Sequence, residues 1–501
     1  MGIKKYTANK DNTITNAFGI DLSTRGTGSN MGSSDILEVF SIYGQQTTSS
    51  VELSRALVEF PITDISTDRT AGSIPESGSV SFYLRMFNAR HSEQLPENFT
   101  VNVLAVSQSW QEGYGLDMET YSDKTKDKIE GSNWMNREKS TAWEKSGGDY
   151  HSSSYVAGST MPNYTFTFDE GYEDLELDVT SAVEEWLTGT HANNGFGVFL
   201  TSSQEGYLSN SSGADEDELL HNIDGQENSV YTKRFFSRSS EFFFKRPTIE
   251  ARWDSRRSDD RGSFFASSSM APASDNINSL FLYNYIRGRL VDIPHSETIT
   301  VSLYNSSNDA PTGSALTSAT AAKVSTGVYK ASLSVQTSES LLHDVWSGSI
   351  GGVYKTGSIS VKSMNDSSVL LSDDYTQFVS KITNLKKAYT KDETARFRVF
   401  TRPRNFSPTI YTVASTDIEG IIIPSASYEV VRVVDNRTVI NNSTGSSTMH
   451  TYMSYDNSGS YFDLDMNLLE PGYLYGIKFA FYSSEGWREQ EEIFKFRVED
   501  N

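Results

Sequence analysis

No cysteine occurs among the 501 residues, which removes disulfide frameworks, thiolate zinc sites and cysteine nucleophiles together. Long apolar runs are missing as well, and no stretch approaches the roughly 20 residues of a membrane-spanning helix. The opening, Met1-Gly2-Ile3-Lys4-Lys5-Tyr6, passes straight into polar residues, so no signal peptide is expected and synthesis in the cytoplasm is. Tyr6 stands where a myristoylation signal would want Ser or Thr. Positive charge is scarce: 43 Lys and Arg face 65 Asp and Glu, a formal net charge of −22. A surface so acidic, without a basic run, repels phosphate backbones, and a nucleic-acid partner is not expected. The long Ala/Leu/Glu/Lys stretches of helical bundles are lacking too.

What remains is rich in Gly, Ser, Thr, Tyr and Phe, with 12% aromatic residues, and its short apolar runs are broken by polar turn clusters. That is the texture of antiparallel sandwiches. The length allows about three domains. Val80, Phe82, Leu84 and Met86 alternate with Ser81, Tyr83, Arg85 and Phe87, which predicts a strand with one buried face. Phe99, Val101, Val103 and Ala105 repeat the pattern, and the unbroken run Phe196–Leu200 reads as a central strand. One helix is expected near 179–188, where Val179, Val183, Trp186 and Leu187 share a face. Ser181 with Glu184 forms a capping-box pattern there, and Gly189 is placed to end the helix. The mixed-charge stretch Asp254–Gly262 reads as a linker or domain edge. It divides a first segment, 1–255, from two further ones, 262–372 and 373–501. Strands are expected at 279–285, 298–304, 328–335 and 358–362, then at 394–401, 428–434, 473–482 and 493–498. Each set suffices for a small immunoglobulin-type sandwich. Pro471-Gly472 delivers Tyr473 to a strand in the manner of a tyrosine corner.

Six ordered blocks carry a resemblance. They are Asn30–Val39, Ser54–Phe60, Ser109–Gly113, the stretch Asn133-Trp134, Thr141–Trp143 and Gly147–Tyr150, then Asp178–Leu187 with Asn194-Gly195-Phe196, and Lys245–Ala251. Together they resemble the DNRLRE domain, a jelly-roll-like β-sandwich of extracellular bacterial and archaeal proteins and of some phage structural proteins. Met31 replaces the aromatic residue usual in the first block. Residues 205–230 depart from the pattern, with seven acidic residues and no Lys or Arg, as a loop inserted between two late strands. The opening from Lys4 to Phe18 and the overall layout are also similar to structural proteins of marine tailed phages. The fold class implied is all-β: an N-terminal jelly-roll-like sandwich followed by two smaller immunoglobulin-like sandwiches.

Chemistry is sought with little return. His91, His151, His191, His221, His295, His343 and His450 are scattered outside any nucleophile or metal motif, and read as surface or turn residues. No Walker or dinucleotide fingerprint occurs, and Gly351-Gly352 precede Val353-Tyr354 as a turn would. Carboxylates are plentiful, but nothing frames the pair a glycosidase needs. Asp215-Glu216-Asp217-Glu218 offers oxygen ligands for calcium without the spacing of an EF-hand, and reads first as a solvated acidic loop. Trp134, Trp143 and Tyr150 lie in loop-like sequence. They either stack on a sugar, as the resemblance allows, or pack inside the sandwich. The sequons at Asn98, Asn163 and Asn210 read as chance.

No catalytic, cofactor or metal residue is therefore assigned, and an enzyme is not expected. Domains of an extracellular type without an expected secretion route point to a virion component of a tailed phage, from tail, neck, baseplate or capsid appendage. Its expected partners are other virion proteins and its own copies in a symmetric oligomer, with host-surface polysaccharide as a further one. The alternative is a bacterial extracellular protein for carbohydrate binding or adhesion.

Overall fold

The computed structural model describes residues 2–43, 51–91, 96–118, 131–209, 219–294, 298–350, 352–362, 378–404, 421–445, 449–483 and 486–500. The chain divides into two compact units, Ile3–Trp253 and the one running from Asp254 onward. The boundary expected at 372/373 lies outside the described residues.

The first unit contains strands β1 (Ile3–Thr7), β2 (Lys10–Thr15), β3 (Ile36–Tyr43), β4 (Val51–Glu59), β5 (Ser81–Met86), β6 (Phe99–Ala105), β7 (Asn136–Glu138), β8 (Thr141–Ala142), β9 (Asn163–Phe168), β10 (Leu175–Asp178), β11 (Phe196–Leu200), β12 (Val230–Phe236) and β13 (Thr248–Arg252). Two helices join them, α1 (Ile62–Thr70) and α2 (Thr180–Leu187). One sheet runs β1-β13-β5-β10 and the other β12-β3-β4-β11-β6-β9, with β2 on the same edge of β4 as β3. The two sheets close over one apolar core, to which β5 contributes Phe82, Leu84 and Met86 and β6 contributes Phe99, Val101 and Val103. Phe87, on the opposite face of its strand, is buried too, beneath the Arg85 guanidinium. The continuous apolar run of β11 lies between β4 and β6, where both faces are covered.

The predicted helix is α2, with Val183 and Trp186 in the core. Its start differs from the expected capping box. Ser181 lies inside the first turn, and Asp178 Oδ1 accepts instead from the Thr180 N–H at 2.9 Å. Glu184 is turned away to a bidentate pair with Arg69 of α1, at 2.6 and 2.8 Å. Helix α1 itself was not expected. Its apolar pattern is poor, and only Ile65 is buried. Its stabilising features are Asp64 in the first turn and Arg69 in the last, each matched to the helix dipole.

The second unit holds two immunoglobulin-like sandwiches. In one, a five-stranded sheet including Ile299–Tyr304, Leu341–Gly348 and Gly352–Lys362 packs on a three-stranded sheet with Asn278–Tyr283 and Val328–Leu333. Trp346 is wholly buried between them. In the other, Thr394–Pro403 and Gly459–Asp465 face Ala426–Arg432, Leu474–Ser483 and Phe494–Glu499. Its core is aromatic: Tyr428 stacks on Phe462 at 4.2 Å, and Phe397 lies against both Phe462 and Phe496. In each sandwich an early strand pairs in parallel with the last, Phe264–Phe265 with Val361 and Lys362, and Ala388–Thr390 with Arg497–Glu499. The tyrosine corner is two residues later than expected. Tyr475, not Tyr473, is wholly buried, and its hydroxyl donates to the Glu470 carbonyl at 2.7 Å. Period two explains the shift, since Tyr473 and Tyr475 share a face and the deeper one takes the bond.

Candidate functional site

Strand β4 is apolar on both faces. Ala56 and Val58 enter the main core, whereas Val51, Leu53 and Leu57 support a second, smaller core with Ile14, Val106, Trp110, Trp134, Trp143 and Leu208. This layer is built from the connections around residues 30, 110–115, 131–150 and 194. Asn30 ties it together. Its amide donates to the carbonyls of Glu112 (2.6 Å) and Ser132 (2.8 Å), and its Oδ1 accepts from the N–H of Gly32 and Gly115. The indole N–H of Trp110 donates to Asn194 O, and that of Trp143 to Asn133 O, both at 2.9 Å. Asp149 accepts from the N–H of Glu144 and of Lys145. Several of the blocks that carry the family resemblance thus meet in one place.

Trp134 is 0% exposed and Trp143 5%, so neither offers a face to a sugar ring. Tyr150 is half-buried, with Gly197 beneath it so close that a Cβ there would come within 2.0 Å of the ring. Its hydroxyl donates to Gly147 O at 2.9 Å, and burial pushes its pKa up to about 12. Of the two readings of these aromatics, packing holds and stacking on a ligand does not.

At the centre of the layer stands Arg55, which sequence reasoning passed over. Its guanidinium lies 4.5 Å from the Phe199 ring centroid and 5.5 and 5.6 Å from those of Trp134 and Tyr150. It donates to Gly147 O at 3.0 Å and stands 3.6 Å from Glu205 Oε1. Gly147 has φ +86°, and a Cβ there would strike the Trp134 ring at 2.9 Å, so the turn beneath the arginine requires glycine. Glu205 is not the solvated first member of an acidic loop that its sequence context suggested. It is buried, and burial raises its pKa against the pull of Arg55. The calcium candidates Asp215, Glu216, Asp217 and Glu218 lie outside the described residues, as do His295 and Asn210.

Of the histidines, His450 is buried rather than on the surface. His151 and His191 stand edge to face at 5.7 Å, with His191 Nδ1 3.6 Å from Glu185 Oε2. His91 is half-buried, and its pKa is pressed down to about 4, mainly by burial and then by Arg234. Among the described residues no three His, Asp or Glu side chains converge as metal ligands, and no helix is long and apolar enough to cross a membrane.

Two clefts remain. One of about 310 Å³ lies over β2 and β3, between Met31, Ile36 and Phe40 and the segment Leu116–Met118. The other, about 550 Å³, is lined by Ser267, Ser268, Asn276, Thr317, Ser334 and Gln336 with a few small apolar groups, and carries no charge.

The stretch Asp254–Gly262, expected as a linker or domain edge, stands at the start of the second unit and is an ordered splint between its two sandwiches. Toward one of them, Arg257 and Asp259 bracket Tyr455 through backbone bonds of 3.0 Å, and the Arg257 N–H donates to Ser454 Oγ. Toward the other, Arg261 forms a bidentate pair with Asp344 at 2.8 and 2.6 Å, and Asp344 also accepts from the Trp346 indole at 2.9 Å. Asp260 joins both, accepting from the Tyr455 hydroxyl (2.9 Å) and the Ser279 N–H (2.6 Å). Of the other charges in the stretch, Asp259 accepts from the Arg261 N–H and Arg256 pairs with Asp254.

No family model matches the chain, and no curated protein does. Solved structures with similarity include fibronectin(III)-like modules of CbhA from Clostridium thermocellum, at 12% identity and a TM-score of 0.15, with 42% of this chain and 83% of that one covered. The adhesin InvE of Yersinia pseudotuberculosis gives 12% identity and a TM-score of 0.15, over 44% of this chain and 54% of that one. The chicken CNTN1 FN1–FN3 domains give 9% and 0.15, over 55% and 82%. At these TM-scores the overlays carry no functional argument.

Proposed function

We propose that this chain is a non-enzymatic structural component of a tailed-phage virion, which docks on the particle and presents β-sandwich domains from it. The observation that carries this reading is the splint. It locks two immunoglobulin-like sandwiches into one compact unit through a buried ion pair and a carboxylate shared by both. Such a joint suits a spacer, because it transmits position rather than permitting rotation. The block resemblance of the first unit to DNRLRE domains agrees with it, as does the lack of cysteine in a chain assembled before lysis. Its partners are then other virion proteins and further copies of itself.

The test is mass spectrometry of virions purified on a density gradient. The protein is expected at a stoichiometry near a multiple of three or six, and its absence from particles removes the proposal. One observation favours the second reading, a carbohydrate-binding adhesion protein. The uncharged hydroxyl and amide lining of the cleft at Ser267–Gln336 suits a neutral glycan. Glycan-array binding by a chain absent from virions would establish it.

A further inference from the structure

The second unit carries a short two-stranded ribbon, Tyr285-Ile286 paired with Arg289-Leu290, with Tyr285 near enough to Arg396 to favour its charge. Its tip is Arg287-Gly288, with φ of +51° and +77°, the twist of a type I′ turn that Asn-Gly or Gly-Gly fill most easily. The turn sets the positive φ, but arginine is a poor residue to fill it. Around it Tyr285 is 59% exposed, Ile286 49% and Val291 38%. Among the described residues neither Arg287 nor Arg289 holds an ion pair. Most arginines of this chain do, including Arg55, Arg69, Arg238, Arg252, Arg261 and Arg396. Tyrosine, arginine and an aliphatic residue presented on a rigid turn are the composition of an interface hot spot rather than of a solvated loop.

The same unit carries the complementary surface. Glu491, Glu492 and Ile493 connect the strands Gly486–Glu489 and Phe494–Glu499. Ile493 is 45% exposed, and among the described residues neither glutamate is ion-paired. We infer that the Tyr285–Val291 ribbon of one copy docks on the Glu491–Ile493 segment of the next. Arginines would meet glutamates around an aliphatic contact, in a chain whose net charge of −22 leaves few other sites for attraction between copies. Because the two surfaces differ, the contact is head-to-tail and propagates into a ring or a filament. So small an apolar area makes each contact weak and salt-sensitive by itself. The inference needs no particle, so it and the virion assignment fail independently.

Sedimentation of the full chain tests it. Concentration-dependent association is expected at low ionic strength and its loss in high salt. R287E/R289E should weaken self-association by about tenfold or more, and so should E491K/E492K, with thermal midpoints little changed because Arg287, Arg289 and Glu491 are exposed and Glu492 is partly so. A mixture of the two variants should associate again, since each supplies the surface the other lacks. A wild-type chain that is monomeric throughout overturns the inference, as does association indifferent to both double variants, or a mixture that stays dissociated. A monomeric chain that binds alginate through Arg287 and Arg289 also overturns it, and assigns the ribbon to an anionic glycan.

Discussion

Arg55 and Glu205 are a buried pair at 3.6 Å, too far apart for a good hydrogen bond, and the arginine's remaining stabilisation comes from three aromatic rings and one carbonyl. Removing one partner of such a pair leaves the other charge buried and uncompensated. Arg55→Met is therefore expected to cost about 3–5 kcal/mol. The double variant Arg55→Met/Glu205→Gln should recover most of it, and a double-mutant cycle by urea unfolding measures the coupling. Tyr475→Phe is a milder case. It leaves the Glu470 carbonyl without its donor and should cost about 1 kcal/mol by the same measurement, whereas Tyr473→Phe should be silent. Residue identity was the hardest level to read from sequence. The positive charge set directly before Ala56, Leu57 and Val58 was the available sign of Arg55, but a period-two pattern cannot tell a covered outer face from a solvated one.

At the level of elements, alternation was the legible signal. The strands at 81–86 and 99–105 bury the residues that period two selects, because a sheet face is covered or uncovered as a whole, and the unbroken run 196–200 is buried on both faces. Helix α2 was legible from its apolar stripe. Helix α1 was not, since Ile62–Thr70 has a single buried residue and is held by pairing rather than by a stripe. That dependence is measurable. Glu184→Ala removes the bidentate partner of Arg69 and should lower stability by about 1–3 kcal/mol. Amide exchange should quicken in α1 more than in α2, which keeps Val183 and Trp186 in the core. The order within the splint was not legible for a similar reason. Mixed charge in a sequence says nothing about whether its partners are water or, as here, Asp344, Tyr455 and the backbone at Ser279.

For the molecule as a whole, buried ionisable groups set a pH response. Asp11 is 1% exposed, and its pKa is raised to about 7, first by burial and in part by Glu112. A raised folded-state pKa means that the native chain holds the proton between about pH 4 and 7 where the unfolded chain does not. The contribution of this group to stability therefore falls as pH rises through that window. Glu250 has the opposite sign. Despite complete burial, Lys5, Arg85 and Arg252 hold it well below the usual carboxylate range, so its contribution is lost as pH falls below about 4. Asp11→Asn should gain on the wild type by of order 2 kcal/mol between pH 5 and pH 8. Equal melting profiles for the two proteins would contradict this.

The parallel pairing of early and last strands in both immunoglobulin-like sandwiches has a mechanical consequence. A chain that enters a sandwich along one strand and leaves along a parallel neighbour enters and leaves at opposite ends. Tension drawn through the polypeptide then slides Phe264–Phe265 past Val361–Lys362 and, once the preceding strand Phe378–Ile382 has been drawn off its neighbour, Ala388–Thr390 past Arg497–Glu499. The bonds of each pair lie across the pull and are loaded together, where a hairpin opened from its end would surrender them one at a time. A part that bears load between two attachment points is served by that geometry, and it resists force where thermal stability alone would not.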